Sequence, residues 1–185
     1  MILHFNGFPG VGKLTIAREL AKLIDAKVLD NHSVYNVALA LTEFKSQAYY
    51  ETLRAVRAIA YERVMDLPPS VPVIITNAHS PDSAWGNENW DSVIKLAKNR
   101  GSTLFIVVLE CAPDENAQRI QHPDRDARRK PRDPNMFKGN AQGLELLDRD
   151  GDHLLHLDVT SMTATEAAGF IFKWVKNLST KYTIT

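Results

Sequence analysis

A single cysteine, Cys111, excludes an internal disulfide and any metal site built on several thiolates. It follows the apolar run LFIVVLE and reads as a buried structural thiol rather than a reactive one. No uninterrupted apolar stretch approaches the roughly 18 residues of a membrane span. The first one, MILHF, gives way to glycine-bearing sequence too soon for a signal peptide. Neither sign of charge predominates, with 22 lysines and arginines against 22 aspartates and glutamates. Nothing global therefore draws the chain to nucleic acid or anionic lipid, and any basic chemistry has to be local. The expectation is a cytoplasmic protein with no membrane or nucleic-acid partner; its oligomeric state is not legible.

What is present is 185 residues, 44% apolar and 24% charged, enough for one globular domain spanning 1–185 with a sizeable core. Four apolar runs read as buried strands, at 2–5, 71–76, 102–110 and 153–159, and a weaker fifth lies at 26–30. Their near-continuous hydrophobicity suits parallel strands covered on both faces. Between them run helical patterns. Ile16, Leu20, Leu23 and Ile24 form one apolar face, and further helices are expected at 47–66, about 91–99, about 113–121 and about 163–177. Pro113 suits a first helical turn, and Thr163 with Glu166 makes a capping-box pair. Alternating strands and helices predict an α/β sandwich around a parallel sheet. Residues 33–66 and 119–140 are long for simple connections, and long insertions in compact α/β folds are usually functional.

The stretch NGFPGVGKLT, residues 6–15, nearly fits the phosphate-binding pattern G-x-x-x-x-G-K-[ST]. Gly7, Gly10 and Gly12 follow a strand and precede a helix, as that pattern requires. Glycines let backbone N–H groups turn inward around phosphate oxygens, and the helix N-terminus adds partial positive charge. Lys13 is placed to reach the β and γ phosphates. Leu14 stands where a hydroxyl is expected, and Thr15 supplies one a residue later. The bland alternative is a glycine turn joining an ordinary strand and helix.

The spacing of Gly7, Pro9, Gly10, Gly12, Lys13, Leu14 and Thr15 resembles the adenylate-kinase-like loop G-x-P-G-x-G-K-x-T. Over nearly its whole length the chain resembles the small P-loop kinases of the shikimate and gluconate kinase group, although beyond the loop the shared motifs are weak. The resemblance implies a three-layer P-loop NTPase sandwich with a five-stranded parallel sheet, helices on both faces and a mobile lid. It implies ATP as phosphoryl donor, held by Gly7, Gly10, Val11, Gly12, Lys13, Leu14 and Thr15. It also implies Mg²⁺ held through water and ATP oxygens near Thr15 and Asp30, and a small-molecule acceptor bound in part by the helical segment 33–66.

Within that resemblance Asp30, at the end of the second strand, matches an aspartate that positions or deprotonates the acceptor hydroxyl; the plainer role is to cap the next helix. His32 reads as a turn residue. Arg54 and Arg57, three apart on one helix, match the place of an arginine that binds an acceptor carboxylate or phosphate; otherwise they are solvated side chains with local partners such as Glu51. Thr76, Asn77 and His79 follow the third strand and are candidates for acceptor contacts, Asn77 foremost. From Arg119 to Arg132 six basic residues (Arg119, Arg125, Arg128, Arg129, Lys130, Arg132) face two acidic ones. This segment resembles the lid of such kinases, with Arg119 on the nucleotide and Arg125 and Arg128 (or Arg129) stabilising the transferring phosphoryl group; a solvated basic loop or a small RNA-contact patch is the alternative. Thr160 and Ser161 fall in a loop that packs on the adenine in the family. The DGFPR-like motif of adenylate kinases is missing, which counts against a nucleoside or nucleotide acceptor. No [NT]-K-x-D motif is present, which counts against a GTPase switch, and neutral charge counts against an RNA-associated NTPase.

Overall fold

The computed structural model describes residues 1–123, 132–133 and 142–179. In chain order the elements are β1 (Ile2–Gly7), α1 (Lys13–Ile24), β2 (Lys27–Asp30), α2 (Asn31–Leu41), α3 (Gln47–Asp66), β3 (Val73–Thr76), α4 (Ala84–Asn99), β4 (Leu104–Glu110), α5 (Pro113–Gln121), β5 (His153–Asp158) and α6 (Ala164–Ser179). The strands form one parallel sheet in the order β2-β3-β1-β4-β5.

The inner strands β1, β3 and β4 are the near-continuous apolar runs, and both their faces are covered. One face packs Leu3, Phe5, Phe105 and Val107 against Ile16 and Leu20 of α1 and Ile171 and Val175 of α6. The other packs Ile2, Ile75, Ile106 and Val108 against Trp90, Val93 and Leu96 of α4 and Val64 of α3. The outermost strands differ from the expectation of two covered faces. In β5, the edge strand of the sheet, burial alternates and Leu154 is exposed, with no strand beyond it among the described residues. Leu23, expected on the apolar face of α1, is likewise half exposed.

α3 and α5 span the residues their patterns predict, and α6 begins at a formed capping box. The backbone N–H of Thr163 donates to Glu166 Oε2 at 2.9 Å and that of Glu166 to Thr163 Oγ1 at 3.2 Å. α4 begins about two turns earlier than its apolar periodicity suggests. Ser83 caps it by accepting from the Gly86 N–H at 2.9 Å, while Gly86 and the asparagines beside it hide the helical pattern. Those hidden turns carry Trp85, Glu88 and Asn89.

The chain reverses direction across the sheet at β1, with β2 and β3 on one side and β4 and β5 on the other. In open parallel sheets the crevice beyond the carboxyl ends of the strands at such a point is where ligands bind. The loops after β1 and β3 and the start of α2, which follows β2 directly, all lie there.

Candidate active site

The loop after β1 folds as a backbone cradle. Gly10 and Gly12 hold φ of 96° and 102°, left-handed values that L side chains rarely adopt. A Cβ on Gly10 would also lie 2.6 Å from Asn116 Nδ2 and 2.7 Å from an Ile120 side-chain carbon, because α5 packs directly on the loop. Asn116 secures that packing by donating to the Pro9 carbonyl at 2.9 Å. Gly12 is the N-cap of α1, so the helix begins at the loop and directs its N-terminal partial charge there. Lys13, its first residue, donates from Nζ to the carbonyls of Gly7 at 2.5 Å and Phe8 at 2.9 Å. Val11 is fully buried. Leu14 is buried on the inner side of α1 while Thr15, one residue on, is half-buried. An apolar residue after the lysine is therefore what the packing of this helix requires.

Two more segments meet the cradle. Arg119, on α5, donates from Nη2 to the carbonyls of Val159 (2.9 Å) and Thr160 (3.0 Å), and from Nη1 to the Val11 carbonyl at 3.3 Å. Glu115 holds it from one turn earlier at 2.7 Å. One guanidinium thus ties the phosphate loop to the loop between β5 and α6. The Thr160 hydroxyl accepts from the Ala112 N–H at 2.8 Å and donates to Asp158 at 2.5 Å, fixing the other side of that junction. Ser161, beside it, is exposed. Arg125, Arg128, Arg129 and Lys130 lie outside the described residues.

Asp30 is the N-cap residue of α2, yet its side chain does not cap the helix. Its Oδ1 accepts from the Thr76 hydroxyl at 2.6 Å, joining the ends of β2 and β3. Beyond them lies a narrow cleft of about 20 Å³, with a mainly apolar surface from Leu29, Val34, Tyr35, Tyr61, Ile75 and Trp85. Asn31, Thr76, Asn77, Asn89 and Arg57 are its polar lining. Trp85 Nε1 donates to the Tyr35 hydroxyl at 2.6 Å, so α4 and α2 are fastened across it.

Arg54 and Arg57 converge on one carboxylate. Arg54 makes a two-pronged pair with Glu88, Nε to Oε1 at 2.8 Å and Nη2 to Oε2 at 2.6 Å. Arg57 donates from Nη2 to Glu88 Oε1 at 3.0 Å and from Nη1 to Asn89 Oδ1 at 3.0 Å. Both guanidiniums lie over the Trp85 ring, at 5.7 and 5.0 Å from its centroid. The Arg54 and Arg57 hydrogen bonds hold the Glu88 carboxyl below the usual range.

Beneath the cleft is a polar network inside the apolar layer. Asn89 Nδ2 meets His79 Nε2 at 2.8 Å, and Asn77 Nδ2 meets His4 Nε2 at 2.9 Å. Asn6 accepts from the His79 N–H at 2.8 Å and donates to the carbonyls of His79 (2.9 Å) and Leu147 (2.8 Å). The imidazoles of His4 and His79 are both pushed down to about 3, chiefly by burial; the other histidine adds to this for His4, and Lys13 and Arg57 do for His79. Both are neutral near pH 7. Of the residues expected to touch an acceptor, Asn77 and Thr76 are among the lining of the cleft although both are buried, whereas His79, equally buried, is not and bonds Asn89 beneath it. Sequence reasoning missed Glu88, Asn89, Trp85 and Tyr35. It also passed over a visible signal, His4 and Asn6 two apart in an apolar strand and hence on one face.

A cradle of backbone around a lysine, at the switch point of a five-stranded parallel sheet, is the architecture of a P-loop kinase fold. An AAA-domain family model matches residues 4–138, and the chain belongs to that AAA-domain family. No curated protein matches it by sequence. Among solved structures it is similar to a gluconokinase from Sinorhizobium meliloti 1021, with 15% identity, TM-score 0.61, and 97% of this chain and 96% of that one covered. It is similar to the shikimate kinase from Acinetobacter baumannii in complex with shikimate, with 16% identity, TM-score 0.54, and 98% and 94% covered. The APS kinase of Mycobacterium tuberculosis, in complex with AMPPNP and APS, shares 18% identity at TM-score 0.56, with 95% and 96% covered.

Proposed function

We propose that the protein is a cytoplasmic, ATP-dependent kinase that transfers the γ-phosphoryl group to a hydroxyl of a small molecule. The observation that carries the reading is the glycine cradle with Lys13 on the first turn of α1, facing a separate cleft whose edge holds Asp30. Backbone N–H groups around Gly10 and Gly12 bind the phosphates, and Lys13 neutralises charge on the transferring group. Asp30 orients the acceptor hydroxyl and takes its proton. The hydroxyl oxygen bonds to the γ-phosphorus as the bond from that phosphorus to the bridging oxygen breaks, and ADP leaves with the electron pair. Arg119 holds the nucleotide side together, and Arg125 and Arg128 belong to the lid in this reading.

Among the described residues no three His, Cys, Asp or Glu side chains gather as a metal cluster. The fit is to Mg²⁺ arriving with ATP and held through water and ATP oxygens, with the Thr15 hydroxyl and Asp30 carboxylate as the hard oxygens near it. When bound, the ion supplies charge neutralisation on the phosphates. No helix among the described residues is long and apolar enough to cross a membrane, and neutral net charge supports a small-molecule partner over a nucleic acid.

Asp30→Ala separates binding from chemistry. Phosphoryl transfer should fall by about two orders of magnitude or more, while ATP binding measured by calorimetry stays near wild type. Equal losses in both would remove Asp30 from the catalytic role.

A further inference from the structure

We propose that Asn116 is a positioning residue for the phosphate loop. By holding the Pro9 carbonyl from outside, it turns the Gly10 N–H inward, where that group donates to a nucleotide phosphate. The inference deepens the kinase reading and rests on it.

Phe8, Pro9, Gly10 and Val11 make a tight turn, closed by the Val11 N–H donating to the Phe8 carbonyl at 3.4 Å. Pro9 in second place and Gly10 in third, with its φ of 96°, mark the turn as type II. Type I and type II turns differ chiefly in which way the central peptide faces, here the one joining Pro9 to Gly10. Proline suits the second place of both types, and glycine meets no steric penalty in the third place of either. The residue types of the turn therefore leave that peptide able to turn over.

Asn116 removes that freedom. The residue is 3% exposed, and its Nδ2 donates to the Pro9 carbonyl at 2.9 Å. No described peptide bond is cis, and in a planar trans peptide the C=O and N–H point opposite ways. With the carbonyl held toward α5, the Gly10 N–H faces away from that helix, into the bowl of the loop. Arg119, three residues along α5 and so on the same side, holds the Val11 carbonyl at 3.3 Å and turns the Gly12 N–H likewise. Among the described residues neither N–H meets an acceptor. Two N–H groups fixed this way, with their carbonyls committed outside, are preset donors for phosphate oxygens. Asn116 acts only through the peptide it holds. Its loss leaves Lys13 and the N-terminus of α1 in place, so the site is weakened and not abolished.

Pro9–Gly10 is the one Pro–Gly pair in the sequence, so labelling proline carbonyl carbon and glycine nitrogen marks this peptide alone in a carbonyl-correlated NMR spectrum. ADP is titrated into the labelled wild type, Asn116→Leu and Asn116→Asp, with the fold of each checked by denaturant unfolding. Leucine keeps the volume and aspartate keeps the shape, and neither can donate to the Pro9 carbonyl. In the wild type the Gly10 proton signal should move downfield as ADP binds. In both variants the Pro9 carbonyl signal should already differ without nucleotide, the Gly10 response should shrink, and ADP should bind about tenfold more weakly or worse. Folded variants that match the wild type in ADP affinity would overturn the proposal. So would weaker binding with the full Gly10 response, which would make Asn116 a packing residue only, or a wild-type Gly10 signal that bound ADP leaves unmoved. A wild type that binds no ADP at all would sink the nucleotide reading and this inference with it, an outcome distinct from the other three.

Discussion

Gly10 carries two constraints at once, a φ of 96° and contact with α5. Gly10→Ala would press a methyl group against Asn116 and Ile120 from a backbone conformation that alanine disfavours. The expected cost is about 1–3 kcal/mol in denaturant unfolding, with nucleotide affinity falling as the loop shifts. Unchanged stability and affinity would mean that α5 yields and the loop is not held as described. At the same scale the sequence was most legible. The glycines, Lys13 and Thr15 declare themselves because a backbone cradle admits few residue types. Leu14 looked like a departure from the phosphate-loop pattern, and its burial on α1 explains it. Glu88 could not be foreseen, since its importance comes from three residues on two helices meeting in space, and nothing local marks it.

The central strand β1 carries His4 and Asn6 on the face that also presents Ile2, beneath α4. Burial depresses both histidines, His4 and His79, to about 3 in the folded chain, against about 6.5 when unfolded. Between those values the unfolded state binds protons that the native state refuses, so stability falls as pH is lowered from about 6.5 and does not change from this source above it. The slope is up to about 1.4 kcal/mol per pH unit for each histidine. Chemical denaturation at pH 7.5, 6 and 5 should show the loss, and His4→Gln with His79→Gln should flatten it. A pH-independent wild type over that range would contradict neutral burial of the pair. The helices α3 and α5 were readable end to end, α5 helped by its first-turn proline. The start of α4 was not, because its first turns spend their residues on a cap, a close glycine contact and the cleft wall instead of an apolar stripe.

The molecule as a whole brings three segments distant in sequence to one crevice: the loop after β1, the helix α5 and the loop after β5. Arg119 is their common tie, and it bonds backbone carbonyls, so residue identity at Val159 and Thr160 leaves no trace of the contact. Arg119→Ala should weaken ATP binding by about tenfold or more, since each hydrogen bond from a charged group is worth roughly 1.5–3 kcal/mol. Arg119→Lys should fail to restore it, because one ammonium cannot reproduce the planar fork. Full rescue by lysine would show that charge alone matters there.

The most direct measurement is transfer of the γ-phosphoryl group of Mg·ATP to a mixed panel of small alcohols, for the wild type beside Lys13→Ala, with the fold of both checked by circular dichroism. A phosphorylated product formed by the wild type and lost in the folded variant is the predicted result. Turnover that survives Lys13→Ala, or a wild type that neither binds ATP nor transfers phosphate, would contradict the assignment of this loop as the working site.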